Sequence, residues 1–253
     1  MRNSNLFWGV ILILLGVLFV FDASRYFWPI LLVCLGLWIV VGSFMRGRAA
    51  QSQTVSVDLQ GARQMYLKVG HGAGQLHIGA GASIGKALEG ECTENVHVDS
   101  RLAGDRLEVR VSGEAVMVPF FTPMNGLNWN LRVSNEVPLS LELETGANQS
   151  TIDLQSLPVT RLTLNTGASS TNVTLPASGV VSAEVHLGAA EMTLRIPQGM
   201  EARIRSHSGL AEINVDTARF PRVNDGYESP NFGASENRID LTVEAGVGKV
   251  SIQ

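Results

Sequence analysis

Two apolar runs open the chain, and an alternating pattern fills the rest. Residues 6–21 and 26–45 contain no charged side chain. At 1.5 Å per residue, helices of these lengths reach roughly 24 and 30 Å, against a hydrocarbon core of ~30 Å. Only Asp22, Ala23, Ser24 and Arg25 separate the runs. So short a connection makes the helices antiparallel neighbours, and the pattern predicts a transmembrane hairpin over residues 1–48. Trp8, Tyr26, Phe27 and Trp28 lie near the ends of the runs, where amphipathic rings favour the headgroup layer. The loop is a poor signal-peptidase site and a second apolar run follows it at once, so removal of the first run is not expected.

After a linker over residues 49–64, period-2 alternation takes over and itself repeats. The segment Leu141-Glu-Leu-Glu-Thr-Gly146-Ala returns as Leu162-Thr-Leu-Asn-Thr-Gly167-Ala and as Ala183-Glu-Val-His-Leu-Gly188-Ala. A degenerate copy ends at Gly209, each glycine being 21 residues from the last. The apolar positions keep step, with Leu143, Leu164 and Val185 in one set and Ile152, Val173 and Leu194 in another. Further copies lie around Gly72 and Gly246. Each unit reads as a strand, a glycine turn and a second strand. Burying about four apolar side chains supplies roughly 6–12 kcal/mol, well short of the ~20–40 kcal/mol needed to order 21 residues. One repeat therefore cannot fold alone. The predicted fold is an all-β domain over residues 65–253, a stacked-repeat β-solenoid, with a sandwich of hairpins as the competing architecture. Residues 113–130 and 216–237 interrupt the repeat, either as functional loops or as flaps over the core.

Charge adds a direction. Arg2 precedes the first run and Arg46 and Arg48 follow the second, so the positive-inside rule puts both termini and the β domain on the cytoplasmic side of the membrane. The net charge is −4 with signs interleaved, and no basic patch points to nucleic acid. Cys34 and Cys92 form neither a disulfide framework nor a CxxC pair.

Candidate chemistry is thin. There is no GxSxG elbow, P-loop or HExxH pattern. Gly70-His-Gly-Ala-Gly74 leads into a strand rather than a helix. The position two before each repeat glycine reads Glu144, Asn165, His186, His207 and Glu244. If the repeats stack in sequence order, His186 and His207 stand about 4.8 Å apart. That juxtaposition suits either a metal or pH site or a solvated polar ladder. An enzyme is not expected, nor a cofactor. The candidate interaction sites are the closing strand Lys249, Val250, Ser251 and Ile252, read as an open edge for β-augmentation, and the loop residues Tyr227, Pro230 and Phe232.

These features resemble a known family. Phe7-Trp-Gly-Val-Ile-Leu-Ile-Leu-Leu-Gly-Val and Tyr26-Phe-Trp-Pro-Ile-Leu-Leu-Val-Cys-Leu-Gly-Leu-Trp38 are similar to the paired membrane segment of LiaI/LiaF-type bacterial proteins. Val69-Gly-His-Gly-Ala-Gly, Leu88-Glu-Gly-Glu, Glu142-Leu-Glu-Thr-Gly-Ala, Asp225-Gly-Tyr-Glu-Ser-Pro and Val243-Glu-Ala-Gly-Val-Gly resemble the toast-rack β domain that follows it. The resemblance implies a β-helix-like stack and a non-enzymatic, membrane-bound modulator of cell-envelope stress signalling. Its implied partners are the lipid bilayer and a sensor histidine kinase or other membrane protein. A self-assembling scaffold joined through the ends of the stack, hence a homo-oligomer, and a lipid or envelope sensor are the alternative readings.

Overall fold

A computed structural model describes residues 52–93, 96–113 and 128–253. The chain divides into two units, Met1–Ala49 and Ala50–Gln253. The expected membrane hairpin lies outside the described residues, among which no helix is long and apolar enough to cross a membrane.

The described residues form fourteen strands of one mixed sheet. They are β1 (Gln53–Asp58), β2 (Gln64–Ala80), β3 (Lys86–Cys92), β4 (Val96–Ala103), β5 (Arg106–Gly113), β6 (Asn128–Val133), β7 (Leu139–Asp153), β8 (Val159–Thr174), β9 (Val180–Arg195), β10 (Glu201–Ser208), β11 (Glu212–Val215), β12 (Arg222–Val223), β13 (Gly226–Glu228) and β14 (Arg238–Ile252). The segment read as a linker thus already contains β1, which pairs antiparallel with β3.

The middle of the sheet is a parallel, in-register series β2-β7-β8-β9-β14-β10. Leu143 lies beside Leu164 and Leu164 beside Val185, and all three are fully buried. Val243 extends the column from β14.

The copy around Gly209 is split into β10 and β11, but on β2, β7, β8, β9 and β14 each repeat is one continuous strand, not two strands about a turn. Its shape follows from its connections. Asp153 pairs with Thr174 and Leu139 with Val159, so the chain returns from the end of β7 to the start of β8 through residues 154–158. Six Cα steps span at most about 22 Å. A straight fifteen-residue strand would measure close to 50 Å. The strand must therefore bend back on itself. The burial pattern locates the bend: Leu139, Leu141, Leu143 and Thr145 point inward, then Asn148, Ser150 and Ile152. Inward parity changes across Gly146-Ala147, both of which face outward. Two walls meet at that corner, and their inner faces share one hydrophobic core.

Sequence order and spatial order part company at the C-terminus. β14 inserts between β9 and the last rung, which consists of β10 and β11. Lys249, Val250, Ser251 and Ile252 consequently pair with β9 on one side and β11 on the other. They are an interior strand, which corrects their reading as an open edge.

Candidate functional site: a groove along the glycine corner

The repeat glycines stack into a column, in the order Gly72, Gly146, Gly167, Gly188, Gly246 and Gly209. None of these six has a positive φ. All but Gly72, where a Cβ would meet nothing within 4 Å, stand where the rungs approach closely. A Cβ on Gly146 would lie 2.3 Å from the Gly72 carbonyl oxygen, and one on Gly246 would lie 2.7 Å from that of Gly188. At Gly167, Gly188 and Gly209 the corresponding distances are 3.1, 3.0 and 3.2 Å. An alanine would push a backbone carbonyl, which cannot swing away as a side-chain tip can.

The absent side chains leave a surface groove of about 850 Å³ crossing six rungs. Its floor is glycine backbone. One wall is the column two residues earlier, in spatial order Glu144, Asn165, His186, Glu244 and His207. Glu244 stands between the two histidines, so the expected side-by-side pair does not form. His186 Nδ1 and Glu244 Oε2 are 3.1 Å apart. Among the described residues, no three His, Cys, Asp or Glu side chains are gathered to hold a metal ion. The column is a hydrogen-bonding wall of alternating character.

At its β2 end the wall is tied down electrostatically. Lys68 Nζ donates to Glu144 Oε1 at 2.7 Å and to Glu142 Oε1 at 2.9 Å. These carboxylates, Glu144 foremost, hold the Lys68 ammonium well above the usual lysine range. The Tyr66 hydroxyl donates to Glu142, and that bond, followed by the one from Lys68, holds the Glu142 carboxyl below the usual carboxylate range. The Arg106 guanidinium lies 5.2 Å from the Tyr66 ring centroid.

Beneath the floor the inner corner is polar on β2, β7 and β8. His71 packs edge-on against Trp129 with ring centroids 4.9 Å apart. Asn148 Nδ2 approaches His71 Nδ1 at 3.3 Å and donates to Ser150 Oγ at 2.9 Å. The Oγ1 atoms of Thr145 and Thr166 are buried without a hydrogen-bond partner among the described residues.

The loop candidates do not join the groove. Tyr227 is on β13, opposite Ile204 of β10. Phe232 is buried beneath the Arg203 guanidinium, which lies 4.4 Å from the ring centroid. Pro230 is exposed. Tyr227 and Phe232 therefore act as a flap over the β10 half of the last rung. Cys92 is buried. The groove itself was missed in the sequence. Its signal was present, a small residue every 21 positions beside a polar one, but period alone does not distinguish a turn from a channel.

Residues 46–195, more than half of the chain, match the family described as the N-terminal domain of toast_rack, DUF2154. No curated protein matches the chain. A solved structure of a presumed cell adhesion protein from Clostridium sporogenes is 21% identical, with a TM-score of 0.69, covering 80% of this chain and 98% of that one. A presumed adhesin from Bacteroides fragilis, 9% identical over 80% of this chain and 97% of its own, has a TM-score of 0.31, too low to carry an argument.

Proposed function

The chain belongs to the toast-rack family, and on that footing we propose that it is a membrane-anchored, non-enzymatic interaction protein of the LiaF type. Residues 6–21 and 26–45 anchor it as a hairpin, with both termini and the β domain on the cytoplasmic side. The β domain is a solenoid-like stack that docks a partner membrane protein, of the sensor histidine kinase class, in cell-envelope stress signalling.

The observation that carries this reading is the groove. It is long and shallow, and it runs across the rungs instead of closing around a small molecule. Its wall presents carboxylate, amide and imidazole groups at successive strand spacings of about 4.8 Å, a pattern suited to the polar groups of an extended polypeptide.

A photo-cross-linking residue in place of Asn165, in the full-length protein in native membranes, tests the proposal. A sensor kinase in the adduct, lost on competition with unmodified protein, is the expected result. Adducts with lipid alone would refute it. The orientation has its own test in intact cells: with Cys34 and Cys92 replaced, Lys249→Cys should resist an impermeant thiol reagent, and labelling from outside would reverse the topology.

A further inference from the structure

The two halves of the last rung end differently. β10 is covered by β13 through Arg203, Ile204 and Arg205, and β13 in turn carries β12. β11 pairs with β14 and, among the described residues, with no other strand. In a parallel pair, alternate residues direct their N–H and C=O groups away from the partner. Among the described residues, the outer side of β11 therefore presents unpaired ladder positions.

The core is also left open there. Ile213 continues the inward column Met192–Val250, and Val215 continues Leu194–Ile252. Those four preceding residues are at most 1% exposed, whereas Ile213 and Val215 are only partly buried. Leu210, just before β11, is 85% exposed beside Val247 at 52%. A layer of apolar side chains thus awaits one more rung.

The outward charges specify what that rung should carry. In register, Glu191, Lys249 and Glu212 form one column of alternating sign. The next position along the column faces the Glu212 carboxylate. Asp216, the residue after β11, is a second carboxylate near this end, its Oδ1 accepting from the Ala218 N–H at 3.1 Å. In an antiparallel two-fold pair of β11 centred on Asn214, Glu212 would face Asp216 of the second copy, and like charges opposite each other are unfavourable. β1, at the other end of the sheet, contains no basic residue.

We propose that β11 is a docking edge that captures, by β-augmentation, an extended segment of a partner protein whose apolar residues alternate with basic ones. The apolar residues cover Ile213 and Val215, and the basic residues continue the Glu191–Lys249–Glu212 column. This rests on the docking reading above and gives it a second contact point, distinct from the groove.

The test uses the full-length purified protein and two fluorescein-labelled ten-residue peptides, one alternating lysine with valine and one alternating glutamate with valine. Anisotropy should show the lysine peptide binding at least fivefold tighter. Glu212→Lys should reverse that order, while Glu91→Lys on distant β3 should leave it unchanged. Hydrogen exchange should slow at residues 210–216 on binding. Equal affinity for the two peptides, no binding of either, or protection confined to other strands would each overturn the proposal. If the Asn165 photo-cross-link still captures the kinase in that event, the docking function stands and only the β11 edge falls.

Discussion

The inner corner of the stack has two chemistries on one backbone. On β7 and β8 it is lined by Thr145, Asn148, Ser150, Thr166 and Thr171, all buried. One and two rungs further, the same positions in register hold Leu187, Ala190 and Met192 on β9, and Ala245 and Val250 on β14. The glycine column and the bend are common to both regions, although on β14 the chain departs at Gly248, whose φ is 126°. Apolar filling at the corner is therefore not what forms the rung. The wall columns supply the driving force and the glycines permit close stacking. The corner interior is left free to be polar, at the cost of hydroxyls buried without partners.

The severest break should come from the walls. Leu164 is fully buried between Leu143 and Val185. Leu164→Asp places a charge among aliphatic side chains, with an expected loss of about 4 kcal/mol or more. Denaturant unfolding of the variant checks this. A midpoint like that of the parent would mean that the wall columns do not hold the rungs.

The glycine column should come next, graded by distance. Gly146→Ala drives a methyl onto the Gly72 carbonyl at 2.3 Å, whereas Gly209→Ala meets the Gly246 carbonyl at 3.2 Å. Overpacking predicts a loss of about 1–3 kcal/mol for the first. The second should change stability by less than about 1 kcal/mol, because the reduced freedom of the unfolded chain offsets a small shift. Equal effects at both positions would show that spacing within the stack does not set the glycine requirement.

The corner contrast itself is sharpened by exchanging its chemistries. Thr166→Val removes a buried, unpartnered hydroxyl and keeps the shape, so stability should rise by about 1 kcal/mol. Leu187→Thr, at the neighbouring position on β9, should lower it by a comparable or larger amount. A destabilised Thr166→Val would reveal that the polar corner is satisfied as a network and is needed as one.

Much of this architecture was legible in the chain. The period of 21 placed Leu143, Leu164 and Val185 in one buried column, as the structure has them. Two features were not legible. A glycine flanked by alternating residues reads equally well as a turn or as a bend within one strand, because both preserve the local pattern. The decision lies in the length of the returning connection, which matters only once the register is known. The insertion of β14 was hidden for a different reason. The final copy matches the others in pattern, so nothing local records which neighbour it takes. That single uncertainty misplaced both the expected edge at Lys249–Ile252 and the expected pairing of His186 with His207.

The smallest expected effect lies outside the corner, on the charged wall that leads to it. Glu142 is held below the usual carboxylate range, first by the Tyr66 hydroxyl and then by Lys68. A carboxyl depressed in the folded state contributes stability above its unfolded pKa, about 4.3, and loses it as pH falls through the lower folded value. Tyr66→Phe removes the leading cause. At neutral pH the variant should therefore be less stable, by roughly 0.5 kcal/mol for a partly exposed contact. Below pH ~4 the stability curves of parent and variant should converge, because protonated Glu142 no longer distinguishes them. Lys68 acts at the opposite limit: its raised pKa adds stability below the ordinary lysine range and loses it only as the pH climbs beyond. The convergence must therefore appear on the acid side. Urea midpoints measured from pH 3 to pH 8 decide the matter. A constant gap between the two proteins across that range would mean that Tyr66 contributes by packing against Arg106 rather than by holding the Glu142 charge.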